Sequence, residues 1–296
     1  MNNIKNLVIS GGGFNGFQFF GIIKYLEENN LINGIEKFIG VSMGAFISFM
    51  IILKYSYSDI EEFLLKFDFS KIFDIKIEKI FKEDNLKGLT SGENFDKLIK
   101  KFLINKNFDE NITLKEFYEK TNKQFFVCVS NLTHATAEYV SHTNYPDMPV
   151  YKLLRMTSCI PFFFEPVEYN SEFYLDGVLK DNFPIQLIPE EDIKNTVGIV
   201  LSTSQDKYDI PNMSSFGYLT HIYRLLVNEP VIKKINKYKD LCTIIIVKPV
   251  INSYDYNISK DIRIELIKNG YNECKNIFDG KCKNIINEQI PTPIPE

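Results

Sequence analysis

Short apolar runs that stop at glycines alternate with longer stretches of helical spacing over residues 6–54. Asn6-Leu7-Val8-Ile9-Ser10 is a β-branched run ended by glycines, which reads as a strand. Gly11-Gly12-Gly13-Phe14-Asn15-Gly16 is a loop opening a helix over 17–28, where Phe20, Ile23 and Leu26 recur at helical spacing. After a turn at Asn33-Gly34, Phe38 to Val41 is a second apolar run, and a helix-length apolar stretch covers 46–54. Between them stands Gly40-Val41-Ser42-Met43-Gly44. Strand, glycine loop, helix, strand, turn and helix in that order make a βαβα unit, which predicts a parallel sheet with right-handed crossovers.

The later pattern extends this layout. Ile60, Phe63, Leu64 and Phe67 suit one helical face, and 72–78 comes closer to alternation. Ser91 is positioned to cap a helix over 92–103 and Thr113 another over 114–121. Residues 124–130 read as a strand with 137–142 as its antiparallel partner, and Pro149 starts a helix to about 158. The stretch 161–167 reads as irregular, and 172–175 as a short strand ending on Asp176-Gly177. Continuous apolar runs at 196–203 and 241–247 suit strands deep in an α/β sheet. Helices fill 214–238, with Pro230 a candidate break, and about 259–279. No internal repeat or linker divides the chain. The expected architecture is a three-layer α/β/α fold with a central, mainly parallel sheet, one domain over 1–285 and an extended proline-rich tail over 286–296.

Composition narrows the partners. The 296 residues carry 45% apolar and 24% charged side chains and a net charge of −4, ordinary for a soluble globular protein. No dense Lys/Arg run points to nucleic acid. The arginines are Arg155, Arg224 and Arg263, too scattered for a bidentate phosphate cluster. Five cysteines, an odd number with no Cys-x-x-Cys pattern, read as thiols in a reducing compartment. The first apolar run stops at the glycines, so no signal peptide is expected, and no run is long enough to span a bilayer. These features point to an intracellular protein, free or peripheral at a membrane.

The chemistry centres on Ser42. A Gly-x-Ser-x-Gly turn between strand and helix is the setting of a nucleophile elbow, with Gly40 and Gly44 supplying the small flanks. The N–H of Met43, at the start of the following helix, can face a developing oxyanion. Gly-x-Ser-x-Gly alone also occurs in ordinary turns. Three histidines are present, His134, His142 and His221. Only His221 falls late enough for the chain order Ser…Asp…His, and its surroundings read as helix interior. Asp176, at a strand end beside Gly177, is an alternative base, although Asp-Gly is also a common turn. The Gly11–Gly16 loop fits Gly-x-Gly-x-x-Gly, yet the acidic residue that a dinucleotide site needs at the second strand's end is missing. The loop is better read as backbone donors beside the elbow.

Gly11-Gly12-Gly13-Phe14-Asn15-Gly16, Gly40-Val41-Ser42-Met43-Gly44 and Asp176-Gly177-Val178, in this order, resemble the patatin-like phospholipases. The segment from Arg155 through Thr157-Ser158 to Pro161 and Val167 is similar to the family's Ala-Ser stretch before a proline-flanked apolar loop. Asn182-Phe183-Pro184 resembles its Asn-x-Pro, and the likeness covers about residues 5–205. Asn15 stands where the family usually carries a basic residue, and Val178 where it carries Gly or Ala. The resemblance implies a Ser42–Asp176 dyad without histidine. It also implies an oxyanion hole from Gly11, Gly12, Gly13 and the Met43 N–H, supported by Gly16, Gly40, Gly44 and Gly177, with no metal or cofactor. Phospholipid or lysophospholipid esters, met by transient contact with a membrane surface, are the implied substrates. Residues 60–81 are a candidate lid or interfacial surface, with ordinary core helices as the plainer reading, and 161–167 a candidate acyl-pocket lining. A His221-dependent esterase, a catalytically weak lipid-binding relative (motivated by Asn15) and a nucleotide-binding module are the competing expectations.

Overall fold

Several strands send alternate side chains into two separate apolar cores. The protein's structure, a computed structural model, describes residues 4–72, 88–201, 210–212, 215–251 and 258–280. Strand β1 (Asn6–Ile9) directs Leu7 and Ile9 into one core and Val8 into the other. After α1 (Phe17–Glu28), β2 (Lys37–Gly40) divides Phe38 from Ile39 in the same way. A period of two with both faces covered is the signature of a sheet between helical layers.

The chain continues through α2 (Met43–Ile52), α3 (Tyr57–Lys66), β3 (Gly88–Thr90), α4 (Glu93–Asn105) and α5 (Leu114–Thr121). Then follow β4 (Gln124–Asn131), β5 (Thr136–Val140), α6 (Val150–Thr157), β6 (Phe162–Phe164), β7 (Val167–Tyr169) and β8 (Glu172–Asp176). The last described elements are β9 (Thr196–Leu201), α7 (Ser215–Tyr238), β10 (Thr243–Val247) and α8 (Lys260–Phe278). The main sheet runs β10-β9-β1-β2-β4-β8-β7, with β5 also paired to β4. β10, β9, β1, β2 and β4 are parallel, whereas β5, β7 and β8 join by antiparallel pairing. The mainly parallel α/β fold is therefore as the pattern predicts.

The differences have local causes. Residues 161–167 are not irregular throughout: β6 pairs with β3 and β7 with β8. Three-residue strands are too short to show an alternation. Helix α7 is not broken at Pro230, because Val231 and Ile235 beyond it are buried in the second core. The alternation at 72–78 and the tail at 286–296 lie outside the described residues, apart from Ile72.

β1 connects forward to β2 on one side and pairs with β9 on the other. Strand order diverges between β1 and β9, so the crevice beyond the carboxyl end of β1, with that of β2 beside it, is where an open α/β sheet places its ligand. The glycine loop leaves one of these ends and Ser42 the other.

Candidate active site

Ser42 sits at φ 51° and ψ −121°, a conformation that costs an L-residue backbone energy. The turn is held by close packing. A Cβ on Gly44 would come within 2.6 Å of the Ser10 carbonyl oxygen, and one on Gly40 would overlap the backbone of Ala45. The Ser42 N–H donates to Thr157 Oγ1 at 2.9 Å, and Thr157 donates in turn to the Cys128 carbonyl at 2.7 Å. Thr157 thereby ties the elbow to β4 from the end of α6.

Asp176 arrives from the other part of the sheet. It is the last residue of β8, in register with Val129 of β4. Its backbone N–H donates to the Cys159 carbonyl at 2.9 Å, and its carbonyl accepts from Ser130 Oγ at 2.8 Å. A Cβ on Gly177 would overlap the Cys128 carbonyl, so the strand end fits only a glycine after the aspartate. These constraints aim the carboxylate at Ser42: Ser42 Oγ donates to Asp176 Oδ2 at 2.7 Å. The other oxygen accepts the Val178 N–H at 3.0 Å. Both residues are buried, and burial pushes the Asp176 carboxyl up to about 7, against the lowering effect of its two hydrogen bonds. A carboxylate with that affinity for protons can take one from an alcohol and return it near neutral pH.

The histidines are engaged elsewhere. His134 Nε2 lies 2.9 Å from Glu172, His142 stacks on Tyr118 at 3.9 Å between ring centres, and His221 is inside α7. A carboxylate oxygen, not an imidazole nitrogen, is at hydrogen-bond distance from the Ser42 hydroxyl.

The glycine loop needs one correction. The Gly11 N–H is already donated to Asn182 Oδ1 at 2.8 Å, so Gly11 anchors the loop and is not free to hold an oxyanion. Among the described residues, the N–H groups of Gly12, Gly13 and Met43 have no protein acceptor. Gly13 has φ 50°, and a Cβ on Gly16 would overlap the Met43 side chain, so loop and elbow are in contact. Asn15 is fully buried. Its Oδ1 accepts from the N–H groups of Val250 at 2.8 Å and Ile251 at 3.2 Å, and its Nδ2 donates to the Ile251 carbonyl at 2.7 Å. This residue pins the loop to the chain after β10, a position in which an amide satisfies both donors and an acceptor. Asn182 and Thr157 are the supports that sequence reasoning left without a role, although both lie inside segments that it singled out.

Beside Ser42 runs an apolar cleft of about 100 Å³, lined by Gly13, Phe14, Ser42, Met43, Phe46, Phe63, Phe69, Ile72, Phe95, Leu98, Ser158, Ile160, Phe163 and Phe164. The 161–167 stretch thus lines the pocket as expected. α3 and the turn at Phe69–Ile72 form cleft wall as well as core, through Phe63, Phe69 and Ile72. Arg155 braces the opposite wall: it is buried, donates to the Ser91 carbonyl at 2.5 Å and lies 4.4 Å over the Phe164 ring.

Known proteins share parts of this sequence and its fold. The sequence is 35% identical over 185 residues to the probable lipid hydrolase 463L of invertebrate iridescent virus 6, a match covering 62% of each chain. The chain therefore spans less than two thirds of that relative. The fold superposes on VipD from Legionella pneumophila with a TM-score of 0.66 at 14% identity, covering 94% of this chain and 67% of VipD. Against the type III effector ExoU of Pseudomonas aeruginosa the TM-score is 0.53 at 10% identity, covering 94% and 53%. A family model described as patatin-like phospholipase matches residues 7–188, which takes in the glycine loop, the elbow, Asp176 and Asn182, and the chain belongs to that family.

Proposed function

We propose that this protein is a lipid acyl hydrolase that cleaves fatty-acyl esters of phospholipids or lysophospholipids through Ser42 and Asp176. Ser42 Oγ attacks the ester carbonyl carbon while its proton passes to Asp176 Oδ2. The carbonyl oxygen becomes an oxyanion, held by the N–H groups of Gly12, Gly13 and Met43 at the start of α2. The tetrahedral intermediate collapses, the C–O bond to the alcohol breaks, and the leaving oxygen takes the proton from Asp176. Water then gives its proton to Asp176 and attacks the acyl-enzyme. Departure of Ser42 Oγ, reprotonated by Asp176, releases the fatty acid.

The observation that carries this reading is the 2.7 Å contact between a buried hydroxyl in a strained turn and a carboxyl pushed up to about 7. The cleft supports the substrate class: its lining is almost wholly apolar, and about 100 Å³ admits part of one acyl chain but not a whole phospholipid. Head group and glycerol would stay outside. No helix of the described residues is long and apolar enough to cross a membrane, consistent with work at a lipid surface from one side. We take the hydrolase to be one domain that includes α8, since α8 packs on α1 and Asn15 binds the chain after β10.

The test uses defined phospholipids and a soluble monomeric ester. Ser42→Ala and Asp176→Asn should each lower turnover by about 10³-fold or more while circular dichroism stays native. A fluorophosphonate should label the unsubstituted protein and not Ser42→Ala. Full activity of Ser42→Ala would remove the proposal.

A further inference from the structure

Lys71, Lys97 and Lys101 line a groove beside the acyl cleft, over a floor that includes Phe67, Ile72 and Leu98. Ile72 and Leu98 line the cleft as well, so the two spaces share a wall. The groove is the roomier of the two, about 600 Å³ against about 100 Å³. Lys97 and Lys101 stand one turn apart on the same face of α4. Lys71 reaches the groove from the turn after α3, which Asn94 fixes to α4 by donating to the Lys71 carbonyl at 2.9 Å.

These ammonium groups are not spent on the protein itself. All three lysines are exposed, and none forms an ion pair among the described residues. Their neighbours differ. Lys100 bonds Asn111 at 2.9 Å and lies 4.3 Å over the Tyr151 ring, and Lys66 pairs with Glu62 at 2.6 Å. The nearby acids are turned to other partners. Asp68 accepts from Ser70 and feels the Lys71 charge without an ion pair to it, and Asp96 faces Arg155 at 3.9 Å. Glu93, on the first turn of α4, is a further described carboxylate close by in sequence, and Asp74, Glu78, Glu83 and Asp84 lie outside the described residues. Three like charges around one apolar floor repel one another, and a phosphodiester layer would relieve that repulsion.

We infer that this groove docks on an anionic lipid surface, its lysines among the phosphates and its floor at the acyl boundary, so that the cleft mouth faces the bilayer. The inference rests on the acyl hydrolase reading and adds the surface from which substrate is drawn. The floor argues for lipid over a soluble anion: Ile72 and Leu98 belong to both the groove and the acyl cleft, matching the step from head group to chain in a bilayer. A juxtamembrane lysine gains from acidic lipids and little from neutral ones.

Ser42→Ala protein, which leaves the lipid intact, is sedimented with vesicles of phosphatidylcholine alone or with about one-third phosphatidylserine. Replacing Lys71, Lys97 and Lys101 together by Gln should weaken partition onto the acidic vesicles by about tenfold or more, with little change on neutral ones. Replacing the same three by Arg should retain binding. A control triple of exposed lysines elsewhere, Lys115, Lys194 and Lys275 to Gln, alters net charge equally and should lose far less. On the Ser42-bearing protein, the groove triple should turn over a soluble p-nitrophenyl ester as the unsubstituted protein does. Undiminished binding by the groove triple, or an equal loss in the control triple, would overturn the inference. Failure of the unsubstituted protein to cleave any ester would strike the hydrolase reading instead, and the vesicle comparison would still decide the groove.

Discussion

Ser42 and Asp176 meet because each is held by backbone contacts that a single substitution can remove. The Asp176 carboxyl is pushed up to about 7 by burial, so the base that the proposed mechanism requires is formed only as pH rises through that value. Turnover of a soluble ester at saturation should therefore climb with pH and level off above about 8. The same shift acts on stability. The folded state binds the Asp176 proton more tightly than the unfolded chain, so this group's contribution is whole below the unfolded value of 3.8 and is lost as pH rises to about 7. Asp176→Asn should accordingly unfold at a higher temperature than the parent at pH 8 and show no such advantage near pH 4. A stability gain that ignores pH would contradict the burial argument. Thr157 offers a separate test, since it accepts from Ser42 N–H and donates to Cys128. Thr157→Val should cost about 1–3 kcal/mol of stability and lower kcat about tenfold or more with KM nearly unchanged, and Thr157→Ser should restore both. A Val variant that keeps full kcat would mean that the elbow holds itself.

Helices α1 and α8 cross where neither has a side chain. A Cβ on Gly21 would meet the Tyr271 N–H nitrogen at 2.6 Å, and one on Gly270 the Gln18 carbonyl carbon at the same distance. Backbone contact this close leaves no flexible atom to give way. Gly270→Val should cost about 2–4 kcal/mol, read as a lower midpoint in urea, with the ester site intact in the molecules that remain folded. An unchanged midpoint would show that the crossing can open without penalty. Nothing in the local sequence announces this contact, because a glycine inside a helical pattern looks only like a weak point. Other elements were plain. β1, β2, β9 and β10 are continuous apolar runs, and the capping box at Thr113 and Glu116 starts α5 where the sequence places it. β3 and β6 were not legible, since a three-residue strand is defined by its partner rather than its own pattern. At the site, Ser42 and Asp176 were recognisable from their turns. The capture of Gly11 by Asn182 was not, because it joins positions 171 residues apart.

At the scale of the whole molecule, the charge balance and the proposed docking face pull in opposite directions. The chain carries a net charge of −4, so its overall field weakly repels an acidic membrane. Attraction has to come from the lysines of the groove, acting only when they are within about 10 Å of the lipid phosphates. The outcome is an orienting contact rather than long-range steering: other faces are repelled, and the groove is the face that adheres. Such a contact should be sensitive to salt. Raising ionic strength from about 0.05 to about 0.5 M shortens the screening length from roughly 14 to roughly 4 Å. Hydrolysis of acidic vesicles at limiting lipid should then fall several-fold, while turnover of a soluble neutral ester stays level. The groove triple of Gln substitutions should show a flat salt response from the start, because the attraction that salt would screen is already gone. If unsubstituted protein and triple lose rate in parallel as salt rises, the sensitivity belongs to the vesicle or to the catalytic site, and the lysines beside the cleft do not orient the enzyme.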